Sequence, residues 1–288
     1  DYPSRPVRLV VAAGPAGSTD NLARILGDRL LPTLGQQLVF DNRPGAGGII
    51  AGEVVARASP DGYTLLFSTS AAIAVSVSLY RKLPYDPVRD FAPIVLVATQ
   101  PYMLIAHPAS VSSVKELIAA ARANPGRLAF AHTGAGTGTH LAGELFMSVA
   151  KVQLLSVPYK SIGQSLTAVA SGETQLTFTS VFSAWGLAKA GRAKALAVRG
   201  RARSPAAPQV PTMAEAGLPG YEAGNWYALL APAGTPERIV QRLNAGVNAV
   251  LQRADVRELL VAQGFGPAGG SAEQLGPLVG TEIAQQPA

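Results

Sequence analysis

Short apolar runs alternate with amphipathic segments along the whole chain. Runs typical of buried strands lie at 7–12, 37–41, 63–68, 94–98, 102–106, 128–131, 154–157, 176–179, 195–198 and 226–231. Segments with helical spacing of apolar residues lie at 21–34, 49–58, 114–123, 141–150, 164–170, 185–190, 235–251, 256–263 and 272–284. This alternation predicts an α/β fold of open, mainly parallel sheets flanked by helices.

Sheets of this kind bind ligands at the carboxyl ends of their strands, where the helices begin. Two glycine-rich loops occupy such positions, at 13–20 after the first strand and at 132–140 after the sixth. Glycine lets the backbone turn tightly, and a helix start offers unpaired N–H groups to an anion. We therefore expect both loops to lie at ligand sites.

The second loop reads Gly134-Ala135-Gly136-Thr137-Gly138-Thr139-His140. No lysine follows its last glycine, so it is not a phosphate-binding P-loop. It departs from the dinucleotide pattern because the sixth position is Thr139, and Tyr159-Lys160 stands where an acidic residue is expected. The backbone and threonine donors suit a carboxylate. A nucleotide-binding enzyme that uses this loop remains the alternative.

Several side chains near these loops have two interpretations. In the first loop, Gly17, Ser18 and Thr19 could contact a ligand or form an ordinary capped turn. Asp20 could cap the helix or hold a cationic group of the ligand. His140 could donate to an anion or pack at the helix start. Trp226 is kept as a candidate because it begins a strand directly after a glycine-rich segment.

Composition excludes several classes of protein. The 288 residues are 48% apolar, carry a formal charge of +6 and include no cysteine, so thiol chemistry and thiolate metal sites are excluded. The three histidines lack metal-site spacing, and no catalytic motif occurs, so we expect no metal, no cofactor and no enzyme activity. No run of apolar residues is long enough to span a membrane. The densest basic cluster, 199–203, is expected to be a solvated loop rather than a nucleic-acid site.

Longer motifs give the chain a family resemblance. It resembles the Bug family, the extracytoplasmic solute receptors of tripartite tricarboxylate transporters. The resemblance spans almost the whole chain in order, in segments 2–9, 17–20, 41–48, 59–66, 83–87, 90–93, 140–144, 157–161, 211–217 and 229–236.

This resemblance implies a periplasmic binding protein of the type II-like, Venus-flytrap kind, with a ligand cleft between two lobes. The lobes would be 1–99 plus 226–288, and 100–225, with a hinge near 99–101 and 224–226. The chain begins without a methionine, which predicts either a mature protein whose signal peptide was removed or a trimmed start. We expect a monomer that delivers a small carboxylate to membrane transporter subunits; a ligand sensor for a membrane signalling partner remains an alternative.

The resemblance also implies which residues bind the ligand. Residues 136–139 should hold one carboxylate, 17–20 should face it, and 68–72 should line the same site. Ala12-Ala13 and Thr179-Ser180 depart from the family pattern, since an aromatic ring and an aspartate are common there. Loss of that aspartate favours a di- or aromatic carboxylic acid over an amino acid. The candidate ligand contacts are Gly17, Ser18, Thr19, Asp20, Thr69, Ser70, Ala135, Gly136, Thr137, Gly138, Thr139, His140, Tyr159, Thr179 and Trp226.

Overall fold

The computed structural model describes residues 2–80, 82–199, 202–221 and 225–285. Its strands are β1 Val7–Val11, β2 Leu38–Asn42, β3 Thr64–Thr69, β4 Phe91–Gln100, β5 Tyr102–Ala106, β6 Ala129–His132, β7 Leu155–Pro158, β8 Leu176–Ser180, β9 Lys194–Val198, β10 Asn225–Pro232 and β11 Gly266–Pro267. Its α-helices are α1 Ser18–Leu34, α2 Ile49–Ala56, α3 Ser76–Leu79, α4 Val114–Ala123, α5 Gly138–Ala150, α6 Ile162–Ser171, α7 Val181–Lys189, α8 Glu237–Gln252, α9 Ala254–Ala262 and α10 Ala272–Gln285.

The chain forms two compact units. Unit 1 comprises Asp1–Thr99, Trp226–Leu260 and Gly266–Ala288, and unit 2 comprises Gln100–Asn225 and Val261–Phe265. The predicted hinge stays a prediction, and Gly224, named for it, lies outside the described residues.

Unit 1 contains a six-stranded sheet in the order β11-β4-β10-β3-β1-β2. β1 runs parallel to β2 and β3, as the predicted strand–helix alternation requires. β10 runs antiparallel to β3, and β11 runs antiparallel to β4. One end of this sheet therefore carries the C-terminal ends of β1 and β3 together with the start of β10.

Unit 2 contains a five-stranded sheet in the order β7-β6-β8-β5-β9. β6 is parallel to β7 and β8, whereas β5 is antiparallel to β8 and β9. Both sheets are thus mixed around parallel strands, and helices flank them. One end of this sheet carries the C-terminal ends of β6, β7, β8 and β9 together with the start of β5.

Alternation along the strands of unit 2 separates two cores. Leu176 and Phe178 of β8 pack on the face covered by α5, where Phe146 and Ala142 lie. Residues Met103 and Ile105 of β5 pack on the opposite face. Each face of the sheet is therefore apolar, so helices cover both faces.

Three local predictions need correction. Ser18, Thr19 and Asp20 do not precede the first helix as caps, because that helix begins at Ser18 and its N-cap is Gly17. The helix predicted at 185–190 begins earlier, at Val181, because Ser180 supplies its cap.

The third correction concerns the segment after β3, where the sequence predicted no element. It forms a short π-helix, Ala71–Val75. The Ala72 carbonyl there accepts hydrogen bonds from the hydroxyls of Ser76 and Tyr85, at 2.8 and 2.6 Å. These bonds satisfy a carbonyl that lies outside regular α-helical bonding.

Candidate functional site

The glycine loop of unit 2 joins the end of β6 to the start of α5. Gly134 and Gly136 have φ values of 112° and 75°, in the left-handed region that other residues rarely adopt. These two glycines turn the chain so that α5 begins directly above the end of the strand. The predicted strand–loop–helix arrangement is therefore present.

Threonine hydroxyls brace this loop from within. Thr137 is the N-cap of α5, and its Oγ1 accepts from the His140 N–H at 3.5 Å and donates to the Gly134 carbonyl at 2.7 Å. The Thr139 Oγ1 accepts from the Thr133 N–H at 3.0 Å and lies 3.1 Å from the Thr137 Oγ1. Both hydroxyls are therefore engaged inside the loop, although the sequence pointed to them as donors for a ligand.

The backbone of the first helical turn retains free donors. Among the described residues, no partner is found for the N–H groups of Gly138 and Thr139. The first N–H groups of an α-helix have no intrahelical acceptor, and they carry the positive end of the helix dipole. The donors that this loop offers to an anion are consequently backbone groups.

Two histidines accept hydrogen bonds from the backbone of the loop glycines. The Nδ1 atom of His132 accepts from the Gly134 N–H at 3.1 Å, and the Nδ1 atom of His140 accepts from the Gly136 N–H at 3.4 Å. The two rings lie 4.6 Å apart between centroids. His140 therefore braces the loop in this structure, and His132, which the sequence did not single out, has the same role.

The hydrogen bonds of both ring nitrogens indicate the tautomer of each histidine. The Nε2 atom of His132 lies 2.8 Å from the Ser156 hydroxyl, and the Nε2 atom of His140 lies 3.3 Å from a Glu144 carboxylate oxygen. Since each Nδ1 accepts a hydrogen bond, each neutral ring carries its proton on Nε2. Burial lowers the pKa of both imidazoles from the ordinary value of 6.5.

We expect acidification to destabilise the protein through this pair. The unfolded chain takes up protons near pH 6.5 and the folded protein only at lower pH, so stability is full above that value and falls as the pH drops through the folded pKa values. Thermal unfolding measured from about pH 8 to about pH 5 tests this expectation. His132→Asn, which keeps an acceptor for Gly134, should flatten the dependence. An unchanged pH dependence in His132→Asn protein would contradict the assignment to this pair.

The loop of unit 1 is built in a different way. Gly17 is the N-cap of α1 and makes no side-chain cap bond, so Asp20 sits in the first turn. Its Oδ2 atom reaches back to accept from the Ala16 N–H at 2.9 Å. Among the described residues, the N–H groups of Ser18 and Thr19 have no partner. This second helix start therefore also presents backbone donors.

The Asp20 carboxylate is almost fully buried, at 3% exposure. It accepts from the Arg24 Nε at 3.0 Å and from the Asn42 Nδ2 at 2.9 Å, and Asn42 also donates to the Ala13 carbonyl. Burial alone would raise its pKa, but the hydrogen bonds from Arg24, Asn42 and Ala16 outweigh it and hold the pKa below 3.8. Asp20 is thus an ionised group that ties the loop together.

Other candidate ligand contacts of unit 1 lie at the end of the sheet where β1 and β3 end and β10 begins. The Ser18 hydroxyl lies 3.1 Å from the Tyr227 hydroxyl. Tyr227 is opposite Thr69 in the β10–β3 pairing, and Ser70 follows directly. The structure therefore brings Ser18, Thr69 and Ser70 into one neighbourhood, with Tyr227 as a polar member that the sequence did not identify.

Trp226 and Thr179 are both buried. Trp226 is 5% exposed and belongs to a core cluster with Ala12 and Ile73 of unit 1. Thr179 is fully buried in β8, and among the described residues its hydroxyl has no hydrogen-bond partner. A buried hydroxyl of this kind is free to serve a bound group or an ordered water.

The Tyr159 hydroxyl is hydrogen-bonded outside the glycine loop. Its backbone N–H donates to the His132 carbonyl at 2.8 Å, but its hydroxyl donates to the Glu173 carboxylate at 2.9 Å. Glu173 follows α6, and both residues border an open groove of about 500 Å³ along that helix. The structure does not bring the Tyr159 hydroxyl to the residues of 134–140.

The basic cluster at 199–203 also differs from expectation. Arg199 is only 7% exposed, and its guanidinium lies 5.9 Å from the Tyr102 ring centroid and 5.3 Å from that of Tyr221. The prediction of a solvated loop is therefore wrong for Arg199. Gly200 and Arg201 of the cluster lie outside the described residues.

Within the described residues, no group of three or more acidic or histidine side chains is arranged to hold a metal ion. Among the described helices, none combines the length and apolar character needed to cross a bilayer.

Comparison with known proteins places these features in context. The family model described as "Tripartite tricarboxylate transporter family receptor" matches residues 22–288. BugT of Bordetella pertussis is 37% identical over 284 residues, which cover 98% of this chain and 87% of that protein.

Two solved structures are similar over nearly the whole chain. An R. palustris protein solved with adipate is 38% identical, with a TM-score of 0.93 and coverage of 99% of this chain and 96% of that one. MatC from Rhodopseudomonas palustris with bound malate is 34% identical, with a TM-score of 0.92 and coverage of 99% and 98%.

Proposed function

This chain belongs to the receptors of the tripartite tricarboxylate transporter family, and from that premise we propose that it captures a small carboxylate for a membrane transporter. Its family and its fold, two mixed sheets flanked by helices, are those of periplasmic solute-binding proteins. Proteins of this class bind and release solutes without chemical change.

The observation that carries the proposal is the start of α5. The N–H groups of Gly138 and Thr139 lie at the positive end of the helix, and the glycine loop before them admits a close ligand. A carboxylate accepts hydrogen bonds on both oxygens, so two adjacent N–H groups suit it. We propose that the helix start of unit 1 is a carboxylate-binding segment in its own right, through the N–H groups of Ser18 and Thr19.

The chemistry of neighbouring proteins supports a carboxylate. One similar structure holds adipate and another holds malate, and both ligands are dicarboxylates. The family resemblance implies an aspartate where this chain has Thr179-Ser180, and such an aspartate could pair with a ligand amine. We therefore propose a di- or aromatic carboxylic acid in preference to an amino acid. Transporter subunits in the membrane are the proposed partners.

We expect carboxylates to raise the melting temperature. A ligand present at about 100 times its Kd adds about 2.7 kcal/mol to the free energy of unfolding, which corresponds to a shift of several degrees. The test is a thermal-shift screen with adipate, malate, citrate, benzoate and aspartate, followed by titration calorimetry on the ligands that stabilise.

Inorganic phosphate and NAD are the controls in this screen, because a nucleotide-binding loop would respond to them. A protein that is folded but stabilised by no carboxylate would contradict the proposal. Stabilisation by NAD at micromolar concentration would favour the nucleotide-binding alternative instead.

A further inference from the structure

Tyr102 is a polar side chain at the glycine loop that the proposed function has not yet used. It is the first residue of β5, and strand alternation places it on the same face as Leu104, in the core covered by α5. The residue is 8% exposed. Its position along the chain, far from residues 134–140, gives no sign of this neighbourhood.

The Tyr102 hydroxyl lies against the first residue of α5. A Cβ built on Gly138 would overlap this hydroxyl oxygen, and it would come within 3.0 Å of the ring carbon Cζ. The glycine at this position therefore leaves the space that the phenol group occupies. The hydroxyl stands beside the same helix start whose N–H groups have no described partner.

The hydroxyl itself is without a hydrogen-bond partner among the described residues. An inward-facing hydroxyl on a buried ring is costly unless something binds it. Tyr221, in the same aromatic cluster, shows the ordinary solution, since its hydroxyl donates to the Ala142 carbonyl at 2.7 Å.

The protonation state suits a donor. Burial raises the pKa of Tyr102 to about 12, although the nearby Arg199 guanidinium opposes the shift. The phenol therefore keeps its proton at neutral pH and can donate to an anion.

We propose that Tyr102 is a ligand-contacting residue whose hydroxyl donates to the carboxylate bound by the N–H groups of Gly138 and Thr139. This inference rests on the proposed function. The two N–H groups and one hydroxyl form a donor set without charge, and the two oxygens of a single carboxylate have enough lone pairs to accept from all three donors.

Tyr102→Phe, compared with Tyr221→Phe, tests the proposal. We expect Tyr102→Phe to weaken binding of adipate or malate about tenfold or more. The melting temperature of the ligand-free protein should stay unchanged or rise slightly, because the substitution breaks no internal bond and removes a buried hydroxyl without a partner. Tyr221→Phe removes an internal hydrogen bond from the same aromatic cluster, so it should lower the melting temperature and keep affinity within about twofold. Titration calorimetry and thermal unfolding measure both quantities on the same samples.

The possible outcomes separate a failure of the Tyr102 inference from a failure of the proposed function. Wild-type protein that binds adipate or malate, together with Tyr102→Phe protein that binds it equally well, would overturn the inference and leave the proposed function intact. An equal loss of affinity in both variants would also overturn it, since the effect would then follow from packing of the cluster. Wild-type protein that binds no carboxylate would remove the proposed function, and the inference with it.

Discussion

Replacing Gly138 with alanine is expected to reduce carboxylate affinity about 100-fold or more. The added methyl group would overlap the Tyr102 hydroxyl and crowd its ring, with the ring carbon Cε2 only 3.2 Å away. Because the ring is packed in the core of unit 2, the start of α5 must move to relieve the overlap. The N–H groups of Gly138 and Thr139 would then no longer converge with the hydroxyl. Titration calorimetry gives the affinity, and denaturant unfolding should show a loss of about 1–3 kcal/mol.

Gly163→Ala is the matched control. Gly163 also lies in the first turn of a helix, α6, but its nearest neighbour is the Ser161 Oγ at 3.9 Å. The same added methyl should therefore keep affinity and raise stability by up to about 1 kcal/mol. Combining Gly138→Ala with Tyr102→Phe should recover part of the stability without the affinity. Wild-type affinity in Gly138→Ala protein would contradict the assignment of α5 as the ligand-binding helix.

Replacing Asp20 with alanine is expected to lower the free energy of unfolding by about 3 kcal/mol at neutral pH. The substitution removes the acceptor shared by Arg24, Asn42 and the Ala16 N–H, and it leaves a cavity in the unit 1 loop. The folded pKa of Asp20 lies below its ordinary value of 3.8, so its contribution is present above that pH and is lost as the pH falls through the folded pKa. Urea unfolding from pH 7 to about pH 2 should show the two proteins converging in acid.

Asp28→Ala provides the comparison on the same helix. Asp28 is exposed, so its loss should change stability by no more than about 0.5 kcal/mol. Asp20→Asn separates a bracing role from a ligand contact. Tighter binding of a diacid in this variant would mean that the carboxylate faces the ligand, whereas lower stability with unchanged affinity would mean that it braces the loop.

Local patterns in the sequence were sufficient to predict most of the fold. Strands and helices follow from the two spacings of apolar residues, and the two glycine-rich loops follow from their place between a strand and a helix. The direction of β5 and β10 was not readable in this way. Their residues show the same apolar runs as parallel strands, and their neighbours in the sheet come from distant parts of the chain.

The site was predictable at the level of its loops but less so at the level of its atoms. The sequence predicted that the Thr137 and Thr139 hydroxyls would donate to a ligand. In the structure, short-range hydrogen bonds within the loop engage both hydroxyls. His132 and Tyr102 were missed because their relation to the loop depends on packing across a sheet. The only local signal was their position at a strand end, facing the side where α5 lies.

The place of β10 in the sheet of unit 1 has a consequence for the order in which the protein can be assembled. This strand lies between β4 and β3, yet it is synthesised after every strand of unit 2. Until residues 225–232 arrive, no strand links β4 to the group formed by β1, β2 and β3. During that time β3 has an open hydrogen-bonding edge. The strands of the unit 2 sheet all lie between residues 102 and 198 and need no later strand. The ribosome therefore delivers a complete set of strands for the second sheet before it delivers the one that joins the first.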